Sequence, residues 1–167
     1  MGELHLEITT YRIEEEQNIK VKVSEPIVVY REAINGNNVG GAFEGKSPNR
    51  HNRFYIEVEM LPQNVVDSLR AGDFRDGTIR NKDQKEIGDQ FAELGMDKDM
   101  MRKGYAISGT NVFINGTKGI QGLHETRELL IEGFNEVCKS GPLAGEPSMG
   151  MLVRLTDAKL HEDAIHR

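Results

Sequence analysis

The sequence predicts an α+β fold in which a mostly antiparallel sheet packs against helices. In residues 54–60, Phe54, Ile56 and Val58 share one strand face, because successive strand side chains point to opposite sides. Residues 125–139 instead carry apolar side chains at helical spacing. Several strand-like runs precede the helices, and the two kinds of element do not alternate strictly. That order disfavours a doubly wound parallel sheet.

The first segment, residues 1–17, allows two interpretations. Leu4, Ile8 and Tyr11 fit one face of a helix, whereas Leu4, Leu6 and Ile8 also alternate as in a strand. We favour the helix, which predicts that these apolar side chains lie on one side of it.

The remaining strands follow from alternation and from the turn residues that bound them. The pattern predicts strands at 19–23 and 27–33, a turn at 35–38, and later strands at 111–114 and 149–159. In the last of these, apolar residues again occupy every second position, which indicates a strand with one buried face.

The helices have recognisable ends. A short helix is expected from Asn64 as its N-cap to residue 71, where Gly72 stops it, and residues 73–82 are expected to form a loop. A second helix is predicted at 87–94. The best helix pattern, at 125–139, has acids at its start and a lysine at its end, which matches the helix dipole.

Composition limits the kind of protein. A chain of 167 residues, 37% hydrophobic and 29% charged, is typical of one soluble domain. It contains neither a signal-peptide pattern nor an apolar run near the roughly 20 residues of a membrane helix. A single cysteine, Cys138, suits a reducing compartment, so we expect a cytoplasmic protein without membrane partners. The net charge of −6 argues against a general nucleic-acid coat but allows a local basic tip.

One motif suggests an enzyme. Residues 40–47 match the P-loop pattern, which would make Lys46 and Ser47 the phosphate-binding residues of a nucleotide hydrolase. A working P-loop needs a helix directly after its serine. Here Pro48 and further polar residues follow, and then a strand, so we favour an ordinary loop. A nucleotide hydrolase and a protein-interaction module remain the alternatives.

The histidines near the end of the chain resemble a zinc site only superficially. His161 and His166 are five residues apart, which places them about 140° apart around a helix rather than on one face. No third ligand is evident nearby, so no metal is expected. His51 and His166 each lie in a polar loop near arginine, where contact with RNA is the alternative to a plain surface position.

Three distant stretches, at 1–7, 45–53 and 160–167, together resemble the elongation factor 2 family of translational GTPases. The last contains the signature Asp163-Ala164-Ile165-His166-Arg167. The resemblance covers essentially the whole chain, and the short 73–109 region favours the archaeal version. It implies a fragment in which residues 1–17 end domain III and residues 18–167 form domain IV, truncated just after the signature histidine.

The resemblance also implies the fold and the chemistry. Domain IV of the family resembles domain 2 of ribosomal protein S5. The parent protein would be a GTPase, with GTP and magnesium bound in a G domain absent here, so this fragment is expected to have neither catalytic residues nor a cofactor. His166 would be the residue that is converted to diphthamide.

The implied partners are small-subunit ribosomal RNA, tRNA and mRNA at the decoding site, the diphthamide-synthesis enzymes, and ADP-ribosylating toxins. Domain IV would support translocation by inserting its tip into that site. The residues expected to form the RNA-contacting tip are Lys46, Ser47, Asn49, Arg50, His51, Asn52, Arg53, His161 and Arg167.

Overall fold

A computed structural model describes residues 3–25, 27–35 and 41–161. Over these ranges the chain forms one six-stranded sheet with helices on both faces. The helices are α1 (Glu3–Gln17), α2 (Gln63–Ala71), α3 (Gln84–Glu93), α4 (Lys98–Met101) and α5 (Leu123–Lys139). The strands are β1 (Phe43–Lys46), β2 (Arg53–Met60), β3 (Gly77–Thr78), β4 (Gly104–Ser108), β5 (Asn111–Asn115) and β6 (Met151–Lys159).

The sheet is mostly antiparallel, as predicted, and its order is β1-β2-β6-β5-β4-β3. β1 and β2 form a hairpin at one edge, and β4 and β5 form another. β6 lies between them, antiparallel to β2 and parallel to β5. α5 supplies the crossover that a parallel pair requires. The last strand therefore joins the two hairpins into one sheet.

Each face of the sheet has its own apolar core. On β5, Val112 and Ile114 pack beneath α2, α3 and α4, whereas Phe113 points to the other face, beneath α5. The Phe113 ring stacks on Phe134 at 5.4 Å between centroids and meets Tyr105 edge-on, also at 5.4 Å. Burial on both faces explains why β5 is almost continuously apolar.

Three predicted helices are present, with adjusted boundaries. The predicted N-cap of α2 is wrong: Pro62 occupies that position, and the Asn64 side chain instead donates a 2.8 Å hydrogen bond to the Leu94 carbonyl. Gly72 does end α2, in the left-handed conformation. The predicted 73–82 loop contains the short strand β3.

The N-terminal part differs more. α1 is a helix, as favoured, but its apolar residues Leu4, Ile8 and Tyr11 are exposed. The predicted strand at 19–23 is absent. The strand predicted at 27–33 is reduced to a single bridge between Glu32 and Ser148. Alternation alone cannot make a strand, because the backbone also needs a neighbouring strand to pair with. Among the described residues the 19–23 segment has no such neighbour, and the 27–33 segment pairs only at Glu32.

Glu32 nevertheless anchors this part of the chain. Its carboxylate accepts hydrogen bonds from the backbone N–H groups of Leu143, Ala144 and Glu146, at 2.8–3.2 Å. These bonds, that from Ala144 foremost, hold the pKa of Glu32 below its usual value. The carboxylate therefore ties the N-terminal segment to the loop between α5 and β6.

Candidate nucleic-acid interface

The β1–β2 hairpin ends in a compact turn. The Arg50 N–H donates to the Ser47 carbonyl at 2.8 Å, which closes a four-residue turn with Pro48 at its second position. Arg50 itself has a φ of +60°, in the left-handed region that few side chains adopt. This backbone conformation fixes the point from which the Arg50 side chain leaves the turn.

Polar side chains brace the turn from within. The Asn49 side-chain oxygen accepts the Ser47 hydroxyl at 2.6 Å and the His51 N–H at 3.2 Å. The Ser47 hydroxyl oxygen in turn accepts the Asn52 N–H at 3.1 Å. Short side chains that bond nearby backbone groups stabilise turns in this way. Ser47 and Asn49 therefore have a clear structural role here.

Asn52 joins the turn to the end of β6. Its side chain is 9% exposed, and its oxygen accepts the His161 N–H at 3.0 Å. The strand register places Arg53 opposite Lys159 at the same end of the sheet. The His51 and His161 rings meet edge-on, 5.1 Å apart between centroids. Two segments more than 100 residues apart in sequence are thereby held together.

An open groove of about 640 Å³ lies between these segments, and we call it the tip groove. It is lined by Asn49, Arg50, His51, Arg53, Lys159 and His161. No carboxylate is among the lining residues that the structure describes. Three basic side chains facing one open groove can bind phosphate groups of a nucleic acid.

Glu44 neutralises part of this charge. Its carboxylate pairs with Lys46 at 3.0 Å and with Arg53 at 3.3 Å, and it also accepts the Tyr55 hydroxyl at 3.1 Å. The hydrogen bond from Lys46, ahead of the other contacts, lowers the pKa of Glu44. Arg50 and Lys159 make no ion pair within the described ranges. These two cations are consequently the best placed to meet a phosphate.

The structure thus brings together most of the residues predicted for the tip. Lys159 was missed because it ends a predicted strand, and Glu44 was missed because residues 40–47 were interpreted as a P-loop-like loop. Lys159 directly precedes the 160–167 loop. The expectation that this loop lies beside the 45–53 loop therefore already implied that Lys159 is close to the tip. His166, Arg167 and the predicted turn at 35–38 fall wholly or partly outside the described residues.

The P-loop pattern does not have P-loop geometry in the described part of its range. Lys46 lies within β1, paired with β2, and is held by Glu44. A turn follows Ser47, and the next element is β2 rather than a helix, so no helix N-terminus faces this lysine. Among the described residues no group of three or more acidic, histidine or cysteine side chains is arranged to hold a metal ion. Across those same ranges, every helix is too short or too polar to cross a membrane.

The fold and the tip groove define an α+β domain with a basic end suited to phosphate groups. The family model described as "Elongation factor G, domain IV" matches residues 76–167. The chain belongs to this family, whose fold is that of domain 2 of ribosomal protein S5.

Curated relatives extend the similarity over the whole chain. Elongation factor 2 of Picrophilus torridus is 53% identical over 167 residues, which are 100% of this chain and 22% of that protein. Elongation factor 2 of Halomicrobium mukohataei is 54% identical over 166 residues, 99% of this chain and again 22% of the relative. Elongation factor 2 of Pyrococcus furiosus is 48% identical over 167 residues, which are 100% of this chain and 22% of that protein. The chain thus spans about a fifth of the length of these relatives.

Proposed function

We propose that this chain is a part of an elongation factor 2, namely the end of domain III (residues 1–17) and domain IV (residues 18–167). In this proposal domain IV promotes translocation by placing its tip in the decoding site of the small ribosomal subunit, beside tRNA and mRNA. The family membership and the relatives' names support the assignment. GTP, magnesium and the hydrolysis step belong to the G domain of the parent protein, which acts in the cytoplasm.

The single observation that carries the RNA-contacting role is the bond between Asn52 and His161. It fixes the hairpin turn against the end of β6, so that Arg50 and Lys159 line one groove. A preorganised pair of cations binds phosphate without first having to order two loops. The tip groove therefore acts as a rigid probe of RNA shape and charge.

His166 is the proposed diphthamide position, within the signature that ends the chain. His161, which lies against the turn, is the last described residue, five positions before His166. The modification would give the tip a longer side chain with additional positive charge and hydrogen-bonding groups. The diphthamide-synthesis enzymes and ADP-ribosylating toxins are accordingly proposed partners of this loop.

The RNA-contacting role can be tested with the 167-residue chain and an RNA that contains the small-subunit decoding site. Affinity is measured by titration over a series of salt concentrations. Each phosphate contact contributes about 0.7–0.9 to the slope of log affinity against log salt. The double variant Arg50→Gln/Lys159→Gln should therefore bind more weakly and reduce the slope by about 1.5.

The matched control is Lys85→Gln, which removes an exposed lysine of α3 far from the groove. It should leave the slope unchanged. A wild-type slope in the double variant would refute the proposed role of the tip groove. Heat of binding with GTP and magnesium, measured by calorimetry, would instead support the nucleotide-hydrolase alternative.

The His166 assignment has a separate test. The chain is made in an archaeal host with the diphthamide pathway, and the mass of its C-terminal peptide is measured. A mass increase localised to His166 supports the assignment. If His166 stays unmodified here and also in a longer chain that extends beyond Arg167, the assignment is wrong.

A further inference from the structure

A second cationic cavity lies at the opposite end of the sheet from the tip groove. It has a volume of about 380 Å³, and we call it the base cavity. Its lining includes Arg31, Arg70, Ser108, Gly109, Thr110 and Lys139. β6 starts beside this cavity and ends at the tip, so its nine residues separate the two by roughly 25–30 Å.

Three basic side chains from three separate elements line the base cavity. Arg70 and Lys139 come from the last turns of α2 and α5, and Arg31 comes from the segment that Glu32 anchors. None of the lining residues that the structure describes is acidic. In a chain with a net charge of −6, such a cluster is not the product of a generally basic surface.

These cations make few ion pairs, although Lys139 also lines a neighbouring pocket with Glu128, Glu132 and Glu136. Arg31 and Lys139 form no ion pair with any described residue. Arg70 pairs only with Asp67, at 3.5 Å, and both side chains are more than half exposed, so the pair contributes little. Asp76 accepts the Gly109 N–H at 2.8 Å and is the acidic side chain that an anion in the cavity would have to approach.

Helix dipoles explain only part of this arrangement. A cation in the last turn of a helix is favoured by the partial negative charge of the free carbonyls there, which accounts for Arg70 and Lys139 separately. Arg31 lies in no helix, yet its side chain lines the same cavity. The helix dipoles therefore do not explain why Arg31 lies beside the two helix-terminal cations.

The wall of the base cavity adds neutral polar groups on a firm support. Ser108 ends β4 and Thr110 lies in the β4–β5 turn, and hydroxyl groups can donate to an anion. The Asn111 amide donates to the Ser108 carbonyl at 3.1 Å and to the Ser148 carbonyl at 2.9 Å. These bonds hold the β4–β5 turn against the segment that precedes β6, and the Thr110 hydroxyl oxygen accepts the Gly150 N–H at 3.3 Å.

We propose that the base cavity binds a phosphate group, supplied by an RNA backbone or by a small phosphorylated molecule. Arg31, Arg70 and Lys139 provide the charge, and Ser108 and Thr110 provide hydroxyl donors. This site is independent of the tip groove and of its proposed function. A chain that uses both sites contacts phosphates at the two ends of one sheet.

The test uses the 167-residue chain labelled with ¹⁵N, and its amide signals are followed by NMR. Inorganic phosphate is added at constant ionic strength, with sodium chloride as the reference titration. The Gly109 and Thr110 amides should shift and saturate in the millimolar range, as expected for a single anion in an open site. Lys139→Gln should weaken this binding about two- to fivefold, because each exposed ion pair contributes modestly.

Two variants act as controls. Arg50→Gln, in the tip groove, and Lys85→Gln, on α3, should leave the phosphate titration of Gly109 unchanged. Arg31→Gln provides a second removal of charge, in a residue that lies outside the regular elements. Both Arg31 and Lys139 are exposed, so neither substitution disturbs the buried core.

A second titration with a short RNA duplex distinguishes the sources of the phosphate. Saturable shifts at Gly109 with both probes support an RNA backbone as the ligand. Saturable shifts with inorganic phosphate alone support a small phosphorylated molecule. The proposal is overturned if phosphate causes no more change at Gly109 and Thr110 than chloride does, or if Arg31→Gln and Lys139→Gln both bind phosphate as tightly as the unaltered chain.

Discussion

Substitution of Asn52 should separate the hairpin turn from the end of β6 without unfolding the domain. Asn52→Ala removes the oxygen that accepts the His161 N–H at 3.0 Å. A hydrogen bond of this kind contributes about 1 kcal/mol net. We therefore expect the His161 amide to exchange with solvent about fivefold faster, since local opening at a chain segment is governed by the bonds that close it.

The assay is amide hydrogen exchange followed by NMR, and Asn52→Asp is the matched control. Aspartate has nearly the same shape and keeps an oxygen for the His161 N–H, so its protection should stay near that of the unaltered chain. Amides in the middle of β6, such as Leu155, should exchange equally slowly in all three proteins, because they lie in the buried sheet. Equal exchange of the His161 amide in Asn52→Ala and the unaltered chain would refute the role given to this bond.

Three other substitutions or treatments test the rest of the structure. Phe113→Ala should lower the free energy of unfolding by about 3–5 kcal/mol in urea, because Phe113 is only 2% exposed, whereas Leu129→Ala, at a position 69% exposed, should cost little. The pKa of Glu32 is lowered on folding, so its contribution to stability is present above the usual value of 4.5 and is lost as pH falls through the folded-state pKa. Glu32→Gln should therefore make the urea midpoint less dependent on pH below about 4.5. A methyl group on Gly141 would meet the Glu32 carboxylate, so Gly141→Ala should destabilise the unaltered chain but add little to Glu32→Ala, in which that carboxylate is gone; fully additive losses would contradict this coupling. Burial raises the pKa of the Cys138 thiol to about 11, so iodoacetamide should leave it unmodified at pH 8 in the folded chain but alkylate it in urea. Rapid alkylation without urea would show that the packing of α5 against the sheet does not bury this thiol.

The elements that the sequence predicted well are those with one buried face. β2, α3 and α5 each show a single periodicity, since solvent lies on one side of the element and the core on the other. β6 has the same alternation, although Leu152 at its start is buried in the core on the opposite face. β4 was missed for the opposite reason. Its residues 104–107 are buried, and a bulge between Gly104 and Ala106 breaks its alternation.

Two further errors concern backbone pairing, which periodicity does not encode. β1 contains Gly45 and lies at the sheet edge, so its sequence suggested a phosphate-binding loop. The segments at 19–23 and 27–33 do alternate, but within the described ranges their backbone lacks a strand to pair with. The basic stretch with Lys46, Arg50 and Arg53 is a local feature that the sequence shows, whereas its meeting with the 160–167 loop was implied by the family resemblance. The base cavity could not be predicted from the sequence, because Arg31, Arg70 and Lys139 are brought together only by the tertiary fold.

The central position of β6 has a consequence for synthesis of the chain. β2 ends at Met60, but its partner β6 does not begin until Met151, so roughly 5–20 s of elongation pass between them. During that interval Phe54, Ile56 and Val58, which pack into the core beneath α5 in the finished domain, have no sheet to join. The nascent chain therefore exposes the apolar face of the β1–β2 hairpin until α5 and β6 have been synthesised and pack against it, and the risk of aggregation increases with that delay.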